Sequence, residues 1–174
     1  MIEIIIAAIV LLLDQASKII CEAWLTTLPM NTYSVIKGVF SLTYVQNTGA
    51  SFGMLAGQSV FFIIITSIAC ALMVWFLIKE HKNLHKMMRI SVALMLSGAV
   101  GNLIDRVLLG YVRDMIEPTF INFAVFNIAD CAVCIGVALL ALDVLFLKKG
   151  REYADDLEKR LDARKKKDKS HAGE

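Results

Sequence analysis

Residues 60–78, inside the stretch QSVFFIIITSIACALMVWFLIK, carry no charged side chain. In a helix rising 1.5 Å per residue, about 20 apolar residues cross a hydrocarbon layer of ~30 Å. Three further runs have this character: 2–25, broken by Asp14, Lys18 and Glu22, then 88–109 and 124–147. All four read as transmembrane helices, the second spanning 59–78. A soluble chain with a large core is the competing reading. Run length argues against it, and so does an apolar fraction of 57% with mean hydropathy +0.65, against about 45–50% apolar in soluble domains. The first run is not read as a cleaved leader, because it has no basic start and its polar end carries Asp and Lys in place of small residues. The chain of 174 residues suits one membrane domain over 1–149, followed by a charged tail over 150–174.

Basic residues orient the helices. Lys79, Lys82, Lys86 and Arg89 lie in the loop between the second and third runs. Ten more Lys and Arg follow the fourth, and the remaining four are Lys18, Lys37, Arg106 and Arg113. Both termini and that loop are therefore expected in the cytoplasm, with segments 26–58 and 110–123 outside. The pI near 8.3 reflects this bias and not a nucleic-acid partner. The tail reads as a solvated segment touching anionic lipid, with a short helix using Tyr153, Leu157 and Leu161. No internal repeat is visible. Cys131 and Cys134 form a single C-x-x-C within the fourth run, and Cys21 and Cys70 are isolated. A zinc site needs four ligands, so these thiols read as packing residues, with no metal and no cofactor expected.

The outer segments alternate as strands do. In GVFSLTYVQN, Phe40, Leu42 and Tyr44 alternate with Ser41 and Thr43. GYVRDMIE is also strand-like and ends at Pro118. Pairing of the two is an expectation. Gly49 is expected to make the turn that returns the chain to the second helix.

Polar side chains gather at one depth. Asp14 and Lys18 are four apart and share a helix face. Asn102, Asp105 and Arg106 lie at the outer end of the third helix, and Asn127 and Asp130 in the first turns of the fourth. Asn47 and Asp114 lie in the outer segments beside them. Charge inside a bilayer usually faces a partner or a polar cavity. Pairing of Asp14 with Lys18, and of Asp105 with Arg106, is the plain structural account. Asp114 and Asp130 have no basic partner in their own elements, since adjacent Arg113 points to the opposite face of a strand. Asp143, about 20 Å along the fourth helix from Asp130, reads as an interfacial charge near Lys148 and Lys149.

Residues 49–53 spell G-x-S-x-G, the string of a serine nucleophile elbow. Ser51 would need a base within reach. His81, His85 and His171 are all expected on the opposite side of the membrane, Lys37 is near only in sequence, and H-E-x-x-H is absent. Two close carboxyls offer another chemistry. They cannot both ionise easily, so one acts as base on water while the other donates a proton. Asp114 and Asp130 suit that best, with Asn47, Asn102, Asn127 and Arg106 positioned to orient substrate or meet developing charge.

DQASK (14–18), NTGASFG (47–53), GNLIDR (101–106), VRD (112–114) and FNIAD (126–130) resemble, in order and spacing, the motifs of lipoprotein signal peptidase, or signal peptidase II. The resemblance runs from residue 14 to about 136. It implies an all-α membrane fold of four transmembrane helices with a small extracytoplasmic β-sheet cradle. It also implies a monomeric aspartyl endopeptidase of the bacterial inner membrane, with its active site near the outer face. Substrates would be prolipoproteins, cut just before a diacylglyceryl-modified cysteine. By motif, Asp114 and Asp130 are the dyad. Asn47, Gly49, Asn102, Arg106 and Asn127 line the site, and Asp14, Lys18 and Asp105 support it. Arg113, Met115, Ala124 and Ser51 depart from the family's usual residues, and Arg113 endangers the setting of Asp114 if its side chain turns back. An ion-coupled transporter using Asp14, Asp105 and Asp130 is the rival from another class, and a scaffold held by polar contacts is a third.

Overall fold

The computed structural model describes residues 2–49 and 55–171; Ser51, Phe52 and Gly53 of the G-x-S-x-G string lie outside them. Four helices are long and apolar enough to cross a membrane: α1 (Ile2–Leu25), α2 (Ser59–Glu80), α3 (Lys86–Leu109) and α4 (Ile128–Phe146). A fifth, α5 (Lys148–His171), follows α4 after a break at Leu147, whose φ of −91° and ψ of 136° are extended. Its residues Tyr153 and Leu157 pack with Leu84 and Met88.

Helix α3 is the central element and packs on α1, α2 and α4. Its contact with α4 is built from small residues. Ser91, Ser97, Gly98 and Gly101 are buried on α3, and Ala129, Ala132 and Gly136 on α4. A Cβ on Gly136 would meet the carbonyl oxygen of Ser91 at 2.7 Å. In lipid, close backbone approach through small residues replaces the hydrophobic drive that packs soluble helices. Glu3 of α1 pairs with Arg89 of α3, so α1 and α3 start side by side and their last turns reach the same end of the bundle.

That end carries a three-stranded antiparallel sheet in the order β1 (Thr32–Ile36), β2 (Phe40–Asn47), β3 (Val112–Pro118). Pairing of β2 with β3 meets the sequence expectation. Strand β1 adds a hairpin, in which Gly38 at φ 75° takes the left-handed turn conformation that glycine allows. Leu25 at the end of α1 packs on Tyr44 and Met115 and seats the sheet. The β2–β3 ladder shifts register between Leu42 and Val45. Two residues of β2 oppose one of β3 there, a bulge that re-aims nearby side chains.

The fourth helix starts later than its apolar run suggests. Residues 124–127 are not helical, and Phe126 instead bridges to Ile116 in an antiparallel pair. Asn127 is the helix cap and Asp130 completes a capping box. Hydropathy reports burial in apolar surroundings and cannot separate an extended apolar segment from a helical one; the cap decides.

Candidate active site

Each polar side chain at the sheet end is placed by the end of an element. Gly110, at φ 84°, caps α3 with its N–H on the Arg106 carbonyl. The chain then turns directly into β3, which carries Asp114. The capping box fixes Asp130: its backbone N–H donates to Asn127 Oδ1 at 2.9 Å, and its Oδ2 accepts from the Asn127 N–H at 3.2 Å. Asn47 ends β2, and its Oδ1 accepts from the Gly49 N–H at 3.0 Å. That side-chain turn shapes the chain after β2.

Asn127 joins the two aspartates. Its Nδ2 donates to Asp114 Oδ1 at 2.6 Å while its backbone and Oδ1 hold Asp130. Asn47 Nδ2 donates to Asp114 Oδ2 at 2.9 Å, and Asn102 Nδ2 to Asp130 Oδ1 at 2.7 Å. The carboxylates thus draw donors from β2, α3 and the α4 cap, and among the described residues no ion pair neutralises either one. Asp114 is 2% exposed. Burial pushes its carboxyl up to about 6, assisted by the charge of Asp130 and opposed by the amide bonds from Asn47 and Asn127 and by Lys18.

Both aspartates face one cavity of about 610 Å³. Asn47, Asn102 and Arg106 supply its other polar groups, and Phe123, Phe126 and Val133 much of its apolar wall. Cys131 and Cys134 also line it. Arg106 reaches the Gly49 carbonyl with Nη2 at 3.0 Å and lies 5.0 Å over the Phe62 ring. Its Nε has no hydrogen-bond partner among the described residues.

Behind the cavity, Lys18 is wholly buried and bonds Asp14 at 2.9 Å, Asp105 at 3.4 Å and Asn102 Oδ1 at 2.9 Å. The last contact fixes which way the Asn102 amide points, because an ammonium accepts nothing and must face the oxygen. Asp14 Oδ1 also accepts from the Ala129 N–H at 2.9 Å, at the positive end of α4. A Cβ on Gly101 would meet Asp14 Oδ2 at 2.6 Å.

Two sequence expectations are corrected. Asp105 pairs with Arg113, at 2.8 Å, and with Lys18, not with Arg106. Arg106 sits one residue further round α3 and faces the cavity. Asp143 is not an interfacial charge. It is fully buried and its Oδ1 lies 2.7 Å from His85 Nε2, at the far end of the bundle from the sheet. The other predicted site residues, Asp14, Lys18, Asn47, Gly49, Asn102, Arg106, Asp114, Asn127 and Asp130, come to the sheet end. Gln15 and Glu22 were missed. Gln15 donates to Asp14, Asp105 and the Gly101 carbonyl, and Glu22 accepts from Tyr44 and Arg113. Gln15 stands inside the DQASK motif and Glu22 one helical turn past Lys18, which is the signal that was available.

A family model described as signal peptidase (SPase) II matches residues 6–146. The chain belongs to the signal peptidase II family. A lipoprotein signal peptidase of Caldanaerobacter subterraneus is 43% identical over 143 residues, covering 82% of this chain and 95% of that protein. One of Enterococcus faecalis is 39% identical, covering 84% and 92%. A solved bacterial membrane enzyme, determined in meso at 2.3 Å, superposes with a TM-score of 0.74 at 39% identity, covering 82% of this chain and 87% of that one. With four spanning helices and this family, the chain is a multi-pass bacterial inner-membrane protein, and signal peptidase II membership makes it a protease.

Proposed function

We propose that this protease processes prolipoproteins with Asp114 and Asp130 as an aspartic dyad, cutting before the diacylglyceryl-modified cysteine. The observation that carries the reading is Asn127, whose one side chain and backbone hold both carboxyls in the lining of a single cavity. One carboxylate takes a proton from water, and the resulting hydroxide attacks the scissile carbonyl. The other carboxyl donates its proton to the carbonyl oxygen. Collapse of the tetrahedral diol breaks the C–N bond as the proton taken from water passes to the leaving amine and one diol proton returns to the carboxylate that donated. The dyad titrates as one coupled pair.

The unpartnered Nε of Arg106 is suited to the developing negative charge on the carbonyl oxygen. The amides of Asn47, Asn102 and Asn127 hold the carboxyls in register, and Asp14, Lys18 and Asp105 hold the amides. The apolar wall suits a lipidated substrate. The basic loop and tail favour both termini in the cytoplasm and the site near the outer face, working as a monomer with lipid as neighbour. Residues 1–149 would then be the working unit, with 150–174 as a cytoplasmic appendage.

The transporter reading is disfavoured because the buried charges gather at the two ends of the bundle, and the α3–α4 contact between them is lined by Ser, Gly and Ala. The test is proteolysis of a diacylglyceryl-modified precursor by purified, reconstituted protein. Asp114→Asn and Asp130→Asn should each insert and fold yet leave the precursor uncut. A near-normal rate from either would end the dyad assignment.

A further inference from the structure

Arg113 ties its own strand β3 to both α3 and α1, and its backbone carries the next residue, Asp114. Its guanidinium is forked on Asp105, with Nε on Oδ2 at 3.2 Å and Nη2 on Oδ1 at 2.8 Å. Its backbone N–H donates to the same Oδ2 at 3.0 Å. Nη1 reaches Glu22 at 3.2 Å and Nη2 reaches Gln15 Oε1 at 3.2 Å, both on α1. A planar fork of this kind fixes a carboxylate in both distance and rotation, which a lysine does not do. The residue is 7% exposed, so its contacts are little diluted by water.

What Arg113 holds reaches the cavity through two further contacts. Asp105, saturated by Arg113, leaves Lys18 at 3.4 Å and frees that ammonium to sit closer, at 2.9 Å, to Asn102 Oδ1. Asn102 in turn presents its NH₂ to Asp130 at 2.7 Å. Without the guanidinium, the buried carboxylates Asp14 and Asp105 would share one cation, Lys18. Coulomb attraction would draw Lys18 toward Asp105 and off the Asn102 oxygen. The Asn102 amide would then lose the contact that fixes its orientation.

We infer that Arg113 is a positioning residue for proteolysis, an ionic clamp on Asp105 that keeps Lys18 on Asn102 and Asn102 on Asp130. It does so without touching substrate. The inference rests on the proposed dyad, and its test separates the two.

The experiment measures kcat and KM on the lipidated precursor for full-length protein in lipid, with thermal midpoint measured alongside. Arg113→Met should lower kcat about tenfold or more with KM within about twofold, as expected when a transition-state geometry is lost and binding is kept. The decisive variant is the double, Arg113→Met with Asp105→Asn. Removing the Asp105 charge removes the pull on Lys18, so the double should recover most of the kcat lost by the single. A merely structural role moves the thermal midpoint alone, down in the single and back up in the double as the stranded charge is removed, with kcat of the folded enzyme unchanged in both. If Arg113→Met is too poorly folded to assay, Arg113→Gln, which keeps amide donors and loses the charge, should show the same kcat-only loss. The inference is overturned if the Arg113 variants keep parental kcat, or if the double is no better than the single. If Asp114→Asn and Asp130→Asn abolish cleavage in the same assay, such a result overturns the clamp alone. If those two still cleave, the dyad reading itself falls.

Discussion

Helix α4 carries two aspartates in very different settings. Asp130, in its first turn, lines a cavity and is held by Asn102 from α3 and by its own cap, with Asp114 bound to the same asparagine. Asp143, near the other end, is the more deeply buried of the two, yet among the described residues its one side-chain partner is His85, and Gly150 packs against it. Asp143 lines neither the cavity that holds Asp130 nor the cleft beside Tyr153 and Asp156. On the proposed dyad, depth of burial does not mark the working carboxylate. Convergence of amide donors from several elements onto a carboxyl that still faces open space does. The sharpest way to break this comparison is to neutralise both. Asp130→Asn should cost at least about a thousandfold in kcat/KM on lipidated precursor, within the range for loss of a general acid or base. Asp143→Asn should leave kcat/KM within about twofold of parent and lower the thermal midpoint instead. Equal losses of turnover in the two variants would erase the distinction.

The sequence made one side of this comparison legible and misjudged the other. Length and hydropathy located four helices, because spanning lipid demands a long unbroken run. The common depth of Asp14, Lys18, Asn102, Asp105, Asn127 and Asp130 followed from helix rise and direction. The misjudged points all depend on tertiary choice. Asp105 had an adjacent arginine, Arg106, but α3 turns that side chain to the cavity, while β3 brings Arg113 back from eight residues away. The strand alternation that separates Arg113 from Asp114 was read correctly; what Arg113 would meet on its own face was not visible. Strand β1 was missed because it is a five-residue edge strand with four exposed residues, and the alternation of Thr32, Tyr33, Ser34 and Val35 is too short to stand out. Asp143 looked interfacial because its partner, His85, lies 58 positions away and only the packing of α3 on α4 joins them.

Asn127 should separate the two regions by a different means. Asn127→Ala removes the cap, worth about 1 kcal/mol, and also the shared donor between the aspartates. Turnover should fall about a hundredfold, the scale of losing one preorganised donor in an active site. The matching change at the other end is Gly150→Ala, whose Cβ would meet Asp143 Oδ2 at 2.8 Å. It should unsettle the α4–α5 junction and depress the thermal midpoint while kcat on lipidated precursor stays within about twofold. Both proteins would be compared by kcat and by thermal midpoint in the same lipid. A drop in kcat with Gly150→Ala matching that of Asn127→Ala would mean that the two ends are coupled.

The smallest expected effect concerns Asp114 and pH. Its carboxyl is pushed by burial from the usual 3.8 to about 6, with the Asn47 amide working against that rise. The folded protein therefore holds this proton more tightly than the unfolded chain does. Its stability falls as pH rises from about 4 to about 6 and carries the full penalty above that. Asp114→Asn should flatten that part of the thermal-midpoint profile, and Asp143→Asn should not. Asn47→Ala takes away a donor that favours the ionised form, so Asp114 moves further up. The inflection that Asp114 contributes to the pH profile of kcat/KM should move to higher pH by up to about one unit. The direction is the same whichever role Asp114 plays. If the acid limb moves, Asp114 is the base that must be ionised; if the alkaline limb moves, it is the acid that must hold the proton. An unmoved profile, with Asn47→Ala still folded, would mean that Asn47 does not hold a reacting carboxyl, and the region around Asp114 would then resemble Asp143 more than Asp130.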